Sequence, residues 1–329
     1  MEKRCRLYNF AGNMKKGKAY IWAAGAGLLV LMIAADLACG GEAGAQVLLH
    51  LRTPRVLTAL LAGASLALAG GQMQSVLRNP LADPHIMGVS AGAALGAALA
   101  TMLGGHSLPG IFNGITIAAA AFAGALSAAA VLLLASRRFR TASSLLIFGV
   151  MLGFIVNALV AILQFTSDAE SLKMFYSWSA GSFSNAGWNE IGILTITLAT
   201  GLAGAIFNSK GLDIILFGDE FAAMSGAPVQ RIRLRAILGC SLMTATVTAF
   251  CGPLGFVGIV APHMARGIFR TSSHRTIIPA CMLTGSMTAL AADLLSQISS
   301  APLPVASTMA IVGVPVILYI LLKGRGYGE

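Results

Sequence analysis

The segment GVSAG at residues 88–92 has the G-x-S-x-G spacing of a hydrolase nucleophile elbow. That motif needs a strand before the serine, and a histidine and an acid elsewhere to activate it. Here an apolar segment typical of a membrane helix begins at the motif. Gly88, Gly92 and Gly96 also recur every four residues, which places them on one helix face that a second helix can approach closely. The pattern favours helix packing, and an intramembrane enzyme remains a minor alternative.

Other residue types that could do chemistry are sparse. No G-x-x-x-x-G-K-[ST] sequence occurs, so the chain has no P-loop for ATP. The five cysteines lack the spacing of a zinc site or a disulfide framework. Ion-coupled carriers generally need ionisable groups within the membrane, whereas Asp36 and Asp293 lie near the ends of their apolar segments. We therefore predict no catalytic, cofactor or metal residues in this chain.

The composition indicates a membrane protein. Hydrophobic residues make up 57% of the chain and charged residues 10%, whereas soluble domains contain roughly a quarter charged residues. We predict an all-α polytopic protein with about ten transmembrane helices, of which the eighth is too short for a regular span. The predicted spans are roughly 20–37, 56–73, 88–103, 115–134, 144–165, 191–207, 236–251, 257–269, 277–295 and 305–322.

Lysine and arginine predict the orientation. With the N-terminus in the cytoplasm, all but Arg52, Arg55 and Lys173 of the 22 basic residues fall on the inner side. The prediction is a multi-pass protein of a bacterial inner membrane with both termini cytoplasmic. It comprises an N-terminal segment 1–19, a transmembrane domain 20–323 and a tail 324–329. The net charge of +10 is then a topology signal, and no nucleic-acid partner is expected.

Two loops are unusually long. The inner loop, residues 208–235, holds Asp213, Asp219 and Glu220, and acidic residues on this side suggest a partner surface. The outer loop, residues 166–189, is rich in aromatic residues, which indicates an interfacial belt or a short helix lying on the membrane.

The stretch CGPLGFVGIVAPHMAR at residues 251–266 cannot form one straight span, because glycines and prolines interrupt it. Backbone groups freed at such a break must be satisfied by neighbouring helices or by a water-lined cavity. Two interpretations stay open: a tight re-entrant turn that serves packing, or the lining of a pathway. Its notable residues are Gly255, Gly258, Pro262 and His263.

Several ordered stretches together resemble the FecCD/BtuC family, the permease subunits of type II ABC importers for iron–siderophore, haem and cobalamin complexes. The resemblance rests on residues 52–96, 218–233, 255–266, 274–295 and 303–323. It implies ten helices per subunit and a pathway between two permease copies, either a homodimer or a pair with a paralogue, embedded in membrane lipid.

The resemblance also implies further partners. Two ATPase subunits would bind on the cytoplasmic side and would hold the ATP and Mg²⁺, which accounts for the absent P-loop. An extracytoplasmic binding protein would deliver the metal-chelate ligand. A secondary transporter working without an ATPase is the alternative, and the absence of neighbouring genes for an ATPase and a binding protein would favour it.

The family pattern assigns roles to individual residues. Arg52 and Arg55 correspond to residues that contact the binding protein. Asn79 and Leu81, in a proline-stiffened corner, resemble part of a cytoplasmic gate, with Thr141 and Ala142 in a second turn. The ATPase-coupling segment is a short helix and its flanks: Gly218, Asp219, Glu220, Phe221, Ala222, Met224 and Gly226.

The sequence departs from the family near the outer end of residues 274–304. Gln297 stands where many relatives have arginine, and Pro302-Leu303-Pro304 where they have Glu-Leu-Pro. We therefore expect a differently charged docking surface and leave the ligand open among siderophore, haem and cobalamin.

Overall fold

The computed structural model describes residues 2–39, 44–103, 110–139, 141–298 and 303–324, and residues 325–329 of the predicted tail lie outside this part. The described chain is helical, without strands. Its helices are α1 Glu2–Ala38, α2 Ala45–Val47, α3 Thr53–Leu77, α4 Val89–Ala98, α5 Gly110–Arg138, α6 Ala142–Phe165, α7 Ala169–Ser179, α8 Trp188–Ile215, α9 Asp219–Met224, α10 Val229–Cys251, α11 Val257–Phe269, α12 His274–Ser296 and α13 Val305–Gly324. A π-helical turn, Leu48–Arg52, joins α2 to α3, and another, Leu99–Leu103, extends α4.

The all-α membrane fold is confirmed. Within the described residues, seven segments are long and apolar enough to cross a membrane: Ala19–Ala38, Ala45–Leu77, Ile117–Arg138, Ala142–Phe165, Trp188–Ile215, Val229–Cys251 and His274–Ser296. Three shorter apolar helices, Val89–Met102, Val257–Phe269 and Val305–Tyr319, coincide with the remaining predicted spans. The prediction of about ten spans is therefore loose, because two of these three helices, Val89–Met102 and Val257–Phe269, are too short to cross a bilayer as regular helices.

Helix α3 forms the centre of the fold. In its most apolar stretch 83% of the residues are buried, against 6% for α1, so α3 is a core helix and α1 a peripheral one. Glycines allow the close contacts around it. A methyl group at Gly63 would collide with the backbone of Gly285 on α12, and one at Gly70 with the backbone of Gly258 on α11.

The glycines that recur every four residues along α4 pack against α5. A methyl group at Gly92 would lie 2.5 Å from the Gly124 carbonyl oxygen, and one at Gly96 would overlap the Ala120 carbonyl oxygen. Gly88 differs from these two, because it precedes α4 with a φ of 90° and lies near Gly149 of α6. The two helical glycines thus allow close packing, and Gly88 allows the turn into the helix.

The two long loops differ in how well they were predicted. Helix α8 runs on to Ile215 and α10 begins at Val229, so the inner excursion shrinks from 208–235 to the segment between them. The outer loop contains α7, whose Phe175 and Trp178 are buried against the protein and do not form an interfacial belt. Asp168 caps α7 by accepting from two backbone N–H groups, and hydrogen bonding to Ser171 holds the pKa of its carboxyl group below its usual range.

Candidate functional site

The predicted coupling segment folds as the single-turn helix α9. It follows Gly218, whose φ of 112° few other residues could adopt, and it begins with two acidic residues, Asp219 and Glu220. It ends at Met224, and Gly226 then takes a φ of 78° while the Ala227 N–H donates to the Ala222 carbonyl at 2.9 Å. The short helix that the resemblance implies at this segment is therefore present.

The exposed face of α9 is apolar. Phe221 is 50% exposed and Met224 81%, and the Phe221 ring lies 5.6 Å from that of Phe217, which is also exposed. Ala222 was expected to belong to this surface, but it is fully buried against the core that includes Ile215 and Ile232. The surface available to a partner is therefore Phe217, Phe221 and Met224, because these side chains are exposed and that of Ala222 is not.

Asp219 joins α9 to two distant parts of the chain. Its Oδ2 accepts from Arg233 of α10 at 2.9 Å and lies 3.5 Å from an Arg78 guanidinium nitrogen. Arg233 is 1% exposed, so this end of the network is buried, whereas Arg78 is 41% exposed. The sequence placed Asp219 only in the coupling segment, because no local pattern indicates an ion pair between residues so far apart.

Arg78 is also the residue at which the proline corner begins. It ends α3 with a φ of 47°, and Asn79 follows it directly. The Asn79 side-chain carbonyl accepts from the Leu81 N–H at 2.9 Å, which closes a tight local turn. Leu81 itself remains 44% exposed in the single chain, so another molecule would have to cover it in an assembled gate.

The broken helix α11 holds the other side of this corner. The Pro80 carbonyl oxygen lies 2.9 Å from His263 Nε2, so this ring nitrogen carries the proton and donates it. One turn along, Arg266 donates to the Gln74 side chain on α3 at 2.5 Å. The corner is thus tied to α9 through Arg78 and to α11 through Pro80.

The second predicted gate turn has a different geometry. Thr141 caps α6, accepting from the Ser144 N–H at 3.2 Å, and Ala142 is buried. Among the described residues no hydrogen bond joins this turn to Asn79 or Leu81. A gate that includes all four residues stays a prediction.

The helical chain is interrupted before α11, at the position that the sequence predicted. Helix α10 ends at Cys251, Gly252 takes a φ of 78°, and α11 starts at Val257. Gly258 packs against Gly70, and a methyl group there would also lie 2.8 Å from the Asp83 carboxylate. Close packing therefore accounts for Gly258, and Pro262 lies buried within α11.

The two arginines that were predicted to dock the binding protein have partners within the chain. Arg55 donates to both carboxylate oxygens of the fully buried Asp293, at 2.7–3.0 Å, and to Ser296 at 2.9 Å. Gln297 extends this cluster by donating to Asp36 of α1 at 2.7 Å. The structure thus gives Arg55 a role within the chain, as the partner of a buried acid, and its part in docking stays a prediction.

Arg52 also contacts its own chain, donating to the Leu37 carbonyl at 2.9 Å. Its part in docking remains a prediction.

Comparison with known protein families and structures identifies the family of this chain. A model of the FecCD transport family matches residues 18–323, nearly the whole described chain. This chain belongs to the FecCD transport family. It is 33% identical to the vitamin B12 import system permease protein BtuC of Klebsiella pneumoniae, over 96% of this chain and 98% of the relative. The BtuC protein of Salmonella typhi is 34% identical over 92% of this chain and 95% of its own.

A solved structure matches as well. An inward-facing metal-chelate type ABC transporter superimposes with a TM-score of 0.83 at 28% identity, covering 93% of this chain and 99% of that one. The FecCD family chain is therefore a membrane-embedded permease of the ABC-importer class.

The Asp219–Arg78 contact makes a first prediction. Changing Arg78 to Gln should reduce uptake per ATP hydrolysed by about twofold to fivefold, since a half-exposed ion pair is worth at most about 1 kcal/mol. The measurement is ATP hydrolysis and uptake in the same proteoliposomes. The matched control is Arg138→Gln, an exposed arginine at the end of α5. If Arg78→Gln and the wild type take up the same amount of ligand per ATP hydrolysed, the Arg78–Asp219 ion pair has no part in coupling ATP hydrolysis to uptake.

Proposed function

We propose that this chain is the permease subunit of an ATP-driven importer that moves a chelated metal compound into the cytoplasm. Two copies enclose the pathway, two separate ATPase subunits bind below, and an extracytoplasmic protein delivers the ligand. Both termini then lie in the cytoplasm. Siderophore, haem and cobalamin complexes are all ligands of the right class.

The observation that carries the proposal is the exposed apolar tip of α9. Phe221 and Met224 project from α9, and Phe217 projects from the segment just before it. This segment lies between membrane helices on the predicted cytoplasmic side, where water and not lipid would surround it, and a contiguous apolar patch in water marks an interaction site. The ion pairs of Asp219 connect the same helix to the proline corner, so a partner bound at α9 can move the corner.

A secondary transporter is the alternative. It would need no ATPase and would leave the α9 surface without a purpose. The test is uptake into proteoliposomes that contain the permease, the ATPase from the same gene cluster and the binding protein. We expect uptake only when hydrolysable ATP is present on the side of the proteoliposome membrane that carries the ATPase. Uptake that persists without the ATPase and follows an ion gradient would support the alternative instead.

The gate makes a separate prediction. Leu81→Ala should raise basal ATPase activity or ligand leak, because truncating an apolar plug leaves a void of a few methylene groups. Leakage of preloaded ligand from proteoliposomes measures the effect. Leu134→Ala, which truncates an exposed leucine on α5, is the control. Leak and ATPase activity at wild-type levels would show that Leu81 forms no part of a seal.

A further inference from the structure

A groove on the membrane-facing surface of the chain runs between α5 and α8. Both helices pack against α10, which forms the floor of the groove, and in the described part of the chain they make no extensive contact with each other. The groove has a volume of about 380 Å³. Its lining residues are Leu126, Ala129, Ala130, Leu133, Thr200, Gly201, Leu238, Gly239, Ser241 and Leu242. None of these is charged, and a methyl group at Gly239 would meet nothing within 4 Å, so the floor is open there.

The groove lies at the depth of one lipid leaflet. Along α5 its lining extends from Leu126 to Leu133, which is about 10 Å of helical rise. These residues occupy the second half of the apolar span Ile117–Arg138, next to its arginine end. The hydrocarbon layer of one leaflet is about 15 Å thick. An acyl chain of that leaflet therefore fits along the groove, with its headgroup toward the end of α5.

Two arginines flank that end of the groove. Arg137 lies four residues after Leu133 on α5, and Arg235 lies three residues before Leu238 on α10. Residues three or four apart share a helix face, so each arginine continues the lining by about one turn. Successive spans alternate in direction, and α5 therefore ends on the side of the membrane where α10 begins.

The positive charge of these two arginines is not neutralised within the described chain. Arg137 and Arg235 are both exposed, and neither forms an ion pair with a described residue. Neither α5 nor α10 contains an aspartate or a glutamate. The groove thus joins an apolar channel to a pair of free cations at the depth of the lipid headgroups.

We propose that this groove binds an anionic phospholipid, with one acyl chain between α5 and α8 and the phosphate between Arg137 and Arg235. Guanidinium groups match phosphate oxygens in a bidentate geometry, and basic pockets between membrane helices bind anionic headgroups. A zwitterionic phospholipid also carries a phosphate, but its ammonium group cancels the negative charge that two arginines require. The site goes beyond the proposed import function, because it depends on neither the transported ligand nor the ATPase.

Native mass spectrometry of the full-length permease in detergent tests the site. The probes are phosphatidylglycerol and phosphatidylethanolamine with identical acyl chains. The wild type should bind phosphatidylglycerol about tenfold more tightly, since only this lipid has a net negative charge. Arg137→Gln with Arg235→Gln should weaken its binding about twentyfold and abolish the preference, because each basic residue near an anionic lipid contributes about fivefold.

A second variant tests the shape of the groove and keeps both arginines. Gly239→Leu places a side chain in the open floor, where it meets no described atom and should leave the fold intact. It should weaken phosphatidylglycerol binding about tenfold, because it displaces a few methylene groups of the acyl chain. An unchanged size-exclusion profile would show that the variant is folded.

Each variant has a matched control. Arg138→Gln with Arg275→Gln removes two exposed arginines that do not continue the groove lining. Gly192→Leu fills open space elsewhere on α8. Both controls should bind phosphatidylglycerol as the wild type does.

Three results would overturn the proposal. Equal affinity of the wild type for the two lipids would mean that the arginines select no anionic headgroup. Equal losses in the variants and their controls would indicate bulk annular lipid only. Undiminished phosphatidylglycerol binding by Gly239→Leu would show that the acyl chain does not lie in the groove.

Discussion

Replacing both Phe221 and Met224 by Asp should leave the permease folded in the membrane, release its ATPase and abolish uptake. Both side chains are exposed, so the change removes no contact from the core of the chain. Surface substitutions of this kind usually change stability by less than about 0.5 kcal/mol. In an apolar cleft of a partner, however, each carboxylate would lose its hydration at a cost of several kcal/mol.

The expected loss is therefore large: copurification of the ATPase should fall at least a hundredfold, because two such costs correspond to more than 3 kcal/mol. Size-exclusion chromatography should show an unchanged permease peak. The control is Arg138→Asp with Lys210→Asp, which adds two carboxylates at exposed positions away from α9. Copurification and uptake at wild-type levels in the Phe221/Met224 variant would contradict the assignment of α9 as the coupling helix.

Replacing Arg55 by Ala should destabilise the permease by about 3–5 kcal/mol, the usual cost of removing one partner of a buried ion pair. The reason is Asp293, whose side chain is fully buried and would lose all three guanidinium hydrogen bonds. Gln297 would still donate to it at 3.3 Å, but an amide cannot neutralise the charge. Thermal unfolding of the detergent-purified protein measures the change.

A double variant separates this explanation from docking. Arg55→Ala with Asp293→Leu should recover much of the lost stability, because replacing both members of a buried pair by apolar groups is often neutral. If Arg55→Ala instead unfolds at the wild-type temperature and weakens only binding-protein docking, the original docking role of Arg55 would be restored.

Much of the architecture could be read from the sequence alone. Each of the ten apolar segments corresponds to a helix, and the break after Cys251 lies where it was predicted, because both features depend on residues within a few turns of one another. Apolar length decides where a helix crosses lipid, and glycine and proline decide where it stops. The same local rule explains why the loop 208–235 was predicted to be too long. Polar residues at the end of α8 and the start of α10 suggested a loop, but a helix continues beyond its apolar stretch when neighbouring helices support it.

The tertiary structure alone decided which side chains meet. Arg55 and Asp293 are 238 residues apart in the sequence. The residues around Arg55 do not identify Asp293 as its partner, and those around Asp293 do not identify Arg55. The same holds for Asp219 and Arg78, which are 141 positions apart in the sequence. Hydropathy shows how much of a helix is apolar, but it does not show how the helix is rotated about its axis and so which face is buried. For this reason the sequence did not separate Ala222, which lies in the core, from the exposed residues of α9. Those rotations follow from packing around the buried helix α3, where glycine contacts such as Gly70 with Gly258 set how closely helices approach.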